Sequence, residues 1–193
     1  MKILILVIVS SLLFSCNSQN SRNIEIIDGV VFEDGTYIGV LMEKLIDEDP
    51  CKVIYNGVPF TGVGVELIKG VYVSDTRYEE GCANQWSYYW DNGKLKEFTI
   101  GACCSEWWYK ESWNEEGILI AEIDGETSRT FYENGNLKKE EVLYDMMGGP
   151  RDYEKEFYEN GQIKMHKKYD GTYEENFTLR CWDMKGNKIN CNY

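Results

Sequence analysis

Few residues of this chain combine a reactive type with a spacing that could support catalysis. His166 is the only histidine, which disfavours a hydrolase triad and a histidine-rich metal site. Alternation along its strand-like segment places His166 opposite Ile163 and Met165, and this predicts a solvated side chain. The sequence contains no glycine-rich phosphate loop and no HExxH or GxSxG motif. We therefore expect no enzymatic activity, no catalytic residue and no cofactor.

Carboxylates cluster at Asp47-Glu48-Asp49 and at Glu115-Glu116. Such groups could act as acid/base pairs or bind calcium. Neither cluster has the alternating Asp/Asn-Gly loop with a terminal Glu that a calcium loop of the EF-hand type needs. We expect solvated carboxylates in turns and no metal site.

The N-terminus carries a cysteine with a distinctive context. Lys2 precedes an apolar run from Ile3 to Leu13, which is too short to span a bilayer but long enough for a secretory signal. The run ends in Leu13-Phe14-Ser15-Cys16 and is followed by polar residues. This segment resembles a bacterial lipoprotein signal, which implies cleavage before Cys16 and lipidation of its thiol. An ordinary signal peptide with an incidental cysteine is the alternative.

This resemblance divides the chain into a signal peptide (1–15), a lipidated cysteine with a polar tether (16–23) and a folded domain (24–193). It implies a lipoprotein held in a membrane of the bacterial cell envelope, facing the periplasm or the exterior. Outside the cytoplasm, the remaining cysteines can form up to three disulfides. These six are Cys51, Cys82, Cys103, Cys104, Cys181 and Cys191. They contain no CxxC pair, so a zinc site fits poorly.

Composition indicates an all-β domain with an acidic surface. The 193 residues include 18 Gly, only 3 Pro and 14% aromatic residues, which favours short strands joined by tight turns. The net charge of −13 disfavours nucleic acid and anionic lipid as partners, because both would be repelled. A basic protein surface would be attracted instead.

A hairpin motif is repeated along the second half of the chain. Three close copies share an aromatic residue, Tyr or Trp, an acidic residue, Asn-Gly, any residue, Leu or Ile, and Lys; they centre on Gly93, Gly135 and Gly161. Looser copies centre on Gly117 and Gly186. Asn-Gly between two strand-like arms predicts a two-residue type I′ turn.

That turn sets the expected cross-strand pairs. It pairs Trp90 with Leu95, Tyr132 with Leu137 and Tyr158 with Ile163. Around Gly117 a three-residue turn fits better and pairs Trp113 with Leu119. Continuing the Asn92-Gly93 register outward places Cys82 opposite Cys103 at a site without backbone hydrogen bonds, where a disulfide can form.

The three close copies, with Asn56-Gly57-Val58-Pro59-Phe60-Thr61-Gly62, resemble the MORN-repeat variant family, also known as an antitoxin-repeat family. The resemblance covers residues 54–189. It implies an array of antiparallel β-hairpins that forms an elongated, twisted sheet. It also suggests an antitoxin or immunity role, in which the sheet holds a toxin-like partner. Residues 24–50 are interpreted as preceding hairpins of the same domain.

Tryptophans supply the candidate binding face. Five of the six lie between positions 86 and 113. The neighbours Trp107 and Trp108 must point to opposite faces of a strand, so an open face would expose one of them. We take Trp107, Trp108 and Trp86 as candidates, although these rings could simply pack the sheet. The expected function is non-catalytic protein binding; the alternative is a structural envelope lipoprotein without a specific partner.

Overall fold

The fold is an all-β meander, seen in a computed structural model that describes residues 23–49, 51–103, 107–142, 152–170 and 176–191. One large twisted sheet has the strand order β1-β2-β3-β7 and then β8 to β18 in sequence, and a second sheet has the order β4-β5-β6. Strand β3 pairs with β7 in parallel, and the other neighbouring pairs are antiparallel. The predicted class, an all-β array of antiparallel hairpins, is confirmed.

The strands have the following bounds: β1 Ile24–Ile27, β2 Val30–Glu33, β3 Thr36–Leu41, β4 Ile46–Asp49, β5 Lys52–Tyr55, β6 Val58–Pro59, β7 Gly62–Ile68, β8 Val71–Glu79, β9 Cys82–Tyr89, β10 Leu95–Gly101, β11 Trp107–Trp113, β12 Leu119–Asp124, β13 Thr127–Phe131, β14 Leu137–Val142, β15 Tyr153–Phe157, β16 Ile163–Tyr169, β17 Phe177–Trp182 and β18 Lys188–Ile189. A single turn of 3₁₀ helix covers Met42–Lys44.

The small sheet packs against the N-terminal part of the large one. Val40, Val53 and Phe60 form the buried cluster between them, and Tyr78 packs against it. Glycine permits this close approach, because a Cβ added at Gly81 would lie 2.8 Å from the carbonyl oxygen of Val53 in β5. This is the part of the described chain where two layers enclose a hydrophobic core.

The repeated hairpins use a three-residue turn, so the two-residue turn predicted for the three close copies is wrong and the three-residue turn predicted around Gly117 is confirmed. The Gly93 N–H donates to the Trp90 carbonyl, and the Trp90 N–H donates to the Lys94 carbonyl. Of the turn residues only Gly93 has a positive φ, of 78°. This is a type I turn followed by a left-handed glycine. Corresponding bonds close the turns of Gly117, Gly135, Gly161 and Gly186.

The turn moves each aromatic–aliphatic pair by one residue. The pairs observed are Tyr89–Leu95, Phe131–Leu137 and Phe157–Ile163, not the predicted Trp90–Leu95, Tyr132–Leu137 and Tyr158–Ile163. Trp113 does pair with Leu119, as predicted for the three-residue turn.

A bulge immediately beyond the turn restores the predicted register of the arms. In the Gly93 hairpin the pairing shifts between Leu95 and Glu97, after which Glu97 faces Tyr88. The restored register brings Cys82 and Cys103 together, and they form a disulfide with a Cα–Cα distance of 5.1 Å. A second disulfide joins Cys181 to Cys191, and Cys51 is disulfide-bonded as well.

Aromatic side chains of one turn bind the next hairpin along the sheet. The residue three before the glycine donates to the backbone carbonyl of the residue four before the next glycine. These bonds run from Trp90 to Trp113 (3.1 Å), from Tyr132 to Phe157 (2.8 Å) and from Tyr158 to Trp182 (2.9 Å). The second aromatic position of the motif therefore joins neighbouring hairpins.

The asparagine before each of the same glycines makes a parallel set of bonds. Its Oδ1 accepts an N–H of its own turn, which holds the type I geometry, and its Nδ2 donates to a carbonyl of the next turn. The lateral bonds run from Asn92 to Glu115 (2.8 Å), from Asn134 to Glu159 (3.2 Å) and from Asn160 to Met184 (3.2 Å). We call the two sets of lateral bonds the turn ladder.

The looser copies differ at these ladder positions. The Gly117 turn has Asn114 in place of the aromatic donor, and Asn114 Oδ1 accepts the N–H of Ile118 within its own turn. In the last turn, Asp183 accepts N–H bonds from Lys185 and Asn187. Both of these bonds therefore stay within the Gly186 turn.

We expect Asn134→Ala to lower the free energy of unfolding by about 1 kcal/mol, because it removes one bond within its turn and one to the next. Urea denaturation followed by tyrosine and tryptophan fluorescence measures the change. Glu133→Ala, at an exposed position of the same turn, is the matched control. Equal midpoints for the two variants would contradict a stabilising role of the turn ladder.

Candidate binding surface

The C-terminal two-thirds of the large sheet is a single layer. From β10 onward, the extensive contacts of each described strand are with its neighbours in the sheet. No other sheet covers these strands among the described residues, so most of their side chains are at least partly exposed. A single open layer stabilises its strands by cross-strand pairs rather than by a core.

Aromatic residues are exposed near the middle of this sheet. Trp86 and Tyr88 alternate on β9 and so share a face; Trp86 is half-buried and Tyr88 is 44% exposed. Trp108 lies two strands away on β11 and is 45% exposed. We call Trp86, Tyr88 and Trp108 the aromatic surface.

The surroundings of the aromatic surface are polar. Lys110 and Glu97 lie on the same face as Trp86 and Tyr88 and form an ion pair at 2.8 Å. Trp108 stands where the pairing of β10 with β11 shifts, between Ile100 and Gly101. Such an irregularity commonly changes the direction of a side chain.

Two of the three tryptophans predicted from the sequence to form the binding face belong to the aromatic surface. Trp86 and Trp108 belong to it, and Trp108 is the more exposed of the two. The Trp107 side chain and the whole of Cys16 lie outside the described residues, as does Cys104. Tyr88 was missed, although its position two residues after Trp86 in a strand was a signal for a shared face.

Opposite the aromatic surface, the other face of the sheet carries a row of charged residues. Successive register partners in this row are Glu122, Arg129, Glu140, Lys155, His166 and Arg180. Arg129 binds Glu122 at 3.1 Å and Glu140 at 3.2 Å, and Lys155 binds Glu140 at 3.1 Å. Alternating signs across neighbouring strands stabilise the sheet where no second layer covers it.

Glu140 is the centre of this charged row. Partial burial acts to raise its pKa, but hydrogen bonds from Lys155, Arg129 and Tyr153 outweigh burial and lower the pKa below the usual value. The carboxylate is therefore ionised and fully engaged at neutral pH. An engaged carboxylate of low pKa binds its neighbours and is unsuited to act as a general base.

Tyr109 lies beside the charged row on the same face, near several carboxylates. Desolvation, a hydrogen bond to Glu111 and the charges of Glu111, Glu122 and Asp124 raise its pKa to about 12. The phenol therefore stays protonated under physiological conditions, and the negative potential around it comes from carboxylates.

His166 lies in the charged row between two cations. It pairs with Lys155 on β15 and with Arg180 on β17, and its ring meets Tyr153 edge-on with centroids 6.2 Å apart. The side chain is half-buried, not solvated as predicted, because neighbouring side chains on both strands cover it. Partial burial and the charges of Lys155, Arg180 and Lys168 lower the pKa of His166 below 6.5.

This environment predicts a loss of stability in mild acid. The unfolded chain binds the imidazole proton near pH 6.5, whereas the folded chain binds it only at lower pH, so the contribution declines as pH falls below 6.5. We expect His166→Gln to reduce the difference in urea midpoint between pH 7 and pH 5. Arg180→Gln keeps the histidine but removes one repelling charge, and should give an intermediate difference. Identical pH dependence in all three proteins would contradict this account.

A shallow recess lies near the C-terminus on the face of the aromatic surface. It has a volume of about 380 Å³ and lies beside the Cys181–Cys191 disulfide, between Tyr158, Met165 and Trp182. The ion pair of Lys164 and Glu156 forms part of its wall.

No group of three or more potential ligands able to hold a metal ion occurs among the described residues. Within the same residues, no helix has the length and hydrophobicity needed to cross a bilayer. In comparisons with known proteins, the chain matches no protein-family model and no curated protein sequence.

Proposed function

We propose that this protein is an envelope-anchored lipoprotein whose hairpin array binds another protein without catalysing a reaction. The observation that carries this proposal is the aromatic surface, where Tyr88 is 44% exposed, Trp108 is 45% exposed and Trp86 is half-buried. Tyrosine and tryptophan anchors contribute much of the binding energy of protein interfaces, because they bury large areas at little cost in entropy.

The proposed partner has a basic surface. The chain has a net charge of −13, which accelerates the approach of a basic protein at low salt. The MORN-variant resemblance adds the suggestion that this partner is toxin-like. Because the lipoprotein signal would place the domain outside the cytoplasm, such a toxin would act or pass through the envelope.

The anchor is tested by Cys16→Ala. Because several acyl chains on one residue hold a protein stably at a membrane, we expect the variant to leave the membrane fraction. Cell fractionation and intact-mass analysis measure the two effects. The double variant Cys181→Ser/Cys191→Ser, which alters other cysteines, should remain bound. Wild-type protein without acyl mass would contradict lipidation.

Partner binding is tested by Trp108→Ala. Removing an interface tryptophan typically costs about 2 kcal/mol or more, so we expect capture of the partner to weaken at least tenfold. Crosslinking in native cells identifies the partner, and titration with the purified partner measures affinity at low and high salt.

Tyr37→Ala, which also removes an exposed aromatic residue but far along the chain, is the control and should bind normally. Thermal unfolding of each variant verifies the fold. Failure to find any saturable partner would support a purely structural envelope protein. Binding unaffected by salt and by Trp108→Ala would contradict the proposed surface.

A further inference from the structure

Basic side chains gather around His166 on the face of the sheet that carries the charged row. Lys155 on β15 and Arg180 on β17 are the direct register partners of His166. Lys168 follows two residues later on β16 and therefore lies on the same face. Diagonal neighbours on one face of an antiparallel sheet stand about 7–8 Å apart, so these long side chains can reach a common point. We call Lys155, His166, Lys168 and Arg180 the cationic cluster.

The alternation of charge along the charged row stops at this cluster. The register partners from Glu122 to Lys155 alternate in sign, whereas Lys155, His166 and Arg180 are three basic residues in succession. Like neighbours of this kind destabilise a sheet unless a negative charge lies between them.

Carboxylates balance only part of this positive charge. Lys155 binds Glu140 at 3.1 Å. Lys168 and Arg180 are exposed, and among the described residues no carboxylate oxygen lies within 4.0 Å of either side-chain charge. Two cations of the cluster are therefore without an ion-pair partner in the part of the chain that the structure describes.

The remaining polar groups beside His166 on β15–β17 are already bound to carboxylates. They are Tyr153, which donates to Glu140 (3.0 Å), Thr178, which donates to Asp170 (2.9 Å), and Lys164, which pairs with Glu156 (2.8 Å). Glu174 and Glu175, between β16 and β17, lie outside the described residues. The described groups at this point of the sheet thus leave an excess of positive charge.

We propose that the cationic cluster is a binding site for a dianionic oxyanion, such as a phosphate or sulfate group. Arg180 can bind two oxygens with its guanidinium fork, while Lys168 and His166 each donate a single bond. The bound group would supply the negative charge that the charged row lacks at this end. The site lies on the face opposite the aromatic surface, and the proposal depends neither on that surface nor on the membrane anchor.

Binding of the anion and protonation of His166 are linked. Partial burial and the charges of Lys155, Arg180 and Lys168 lower the pKa of His166. A bound dianion favours the imidazolium form and so raises that pKa. By reciprocity, the anion binds more tightly in mild acid, where His166 takes up its proton. The net charge of −13 opposes the approach of any anion, so we expect weak binding that strengthens as the pH falls.

The experiment uses the single histidine as its reporter. The full-length chain, purified without a histidine tag and isotopically labelled at the imidazole, is held in a nonionic detergent. NMR follows the titration of His166 in sodium sulfate and in sodium chloride of equal ionic strength. Sulfate remains a dianion in mild acid, so a change in midpoint reports on the protein. We expect sulfate to raise the midpoint by about 0.5 pH unit, which corresponds to about threefold tighter binding to the protonated protein.

Substitutions in the cluster test its composition. Arg180→Gln and Lys168→Gln should each reduce the difference between sulfate and chloride by about half or more, because each removes a donor and a positive charge. Lys168→Arg keeps the charge and should keep the difference. Lys138→Gln, which removes an exposed cation on β14, is the matched control and should behave as the wild type. Circular dichroism and thermal unfolding establish that each variant is folded.

Two further probes at neutral pH distinguish the source of the anion. A response of the His166 signal to inorganic phosphate alone would assign the cluster to a free anion. An equal response to glycerol phosphate would assign it to a phosphate group carried by a larger molecule. Equal midpoints in sulfate and chloride for the wild-type protein would overturn the proposal, and so would a sulfate effect that survives in both Gln variants of the cluster.

Discussion

Lateral pairing between neighbouring strands is the interaction on which most of this protein depends. Beyond the small N-terminal core, no second sheet covers the described strands, so burial against a core of described residues does not hold these hairpins in place. Each strand is stabilised by its two neighbours, through the backbone ladder, the cross-strand pairs and the turn ladder. In such a one-dimensional array, stability is approximately the sum of each unit and its interface with the next.

The turn ladder explains why the motif has its particular residues. A simple hairpin needs a glycine in the left-handed conformation, but it does not need Tyr and Asn at fixed distances before it. In the three close copies these two residues reach the next turn, whereas the first aromatic residue and the Leu or Ile make the cross-strand pair within the hairpin. The motif thus encodes both the fold of a unit and its attachment to the next.

An open single layer also determines what the surface can do. Charged rows of alternating sign keep one face soluble and ordered, and they leave their carboxylates engaged rather than available for acid–base chemistry. The other face carries ion pairs as well, such as Lys139 with Glu154 at 3.0 Å, together with the exposed rings of Tyr88 and Trp108. We propose recognition as the use of this surface, and the acidic charge of the chain would favour basic proteins as partners.

Much of this architecture was accessible from the sequence. Glycine spacing, the aromatic positions and the scarcity of proline determine an antiparallel hairpin array, and the outer register of the Gly93 hairpin places Cys82 opposite Cys103. These features are local or follow from counting along a strand of period two. Cys16 and the tryptophan-rich segment between residues 86 and 113 can also be identified from the sequence alone, and the functions assigned to them are proposals.

Tertiary structure decided what local counting could not. Asn56-Gly57 forms a two-residue turn with both residues at positive φ, whereas Asn92-Gly93 forms a three-residue turn. Asn92 also binds a carbonyl of the neighbouring hairpin, but the Gly117 and Gly186 turns have the same three-residue form without an asparagine before the glycine. The surrounding strands leave the His166 side chain half-buried and the Trp108 side chain exposed. The sequence determines the repeated unit because its signals lie within a few residues; contacts between strands, which join residues farther apart in the sequence, determine which side chains are buried and which are exposed.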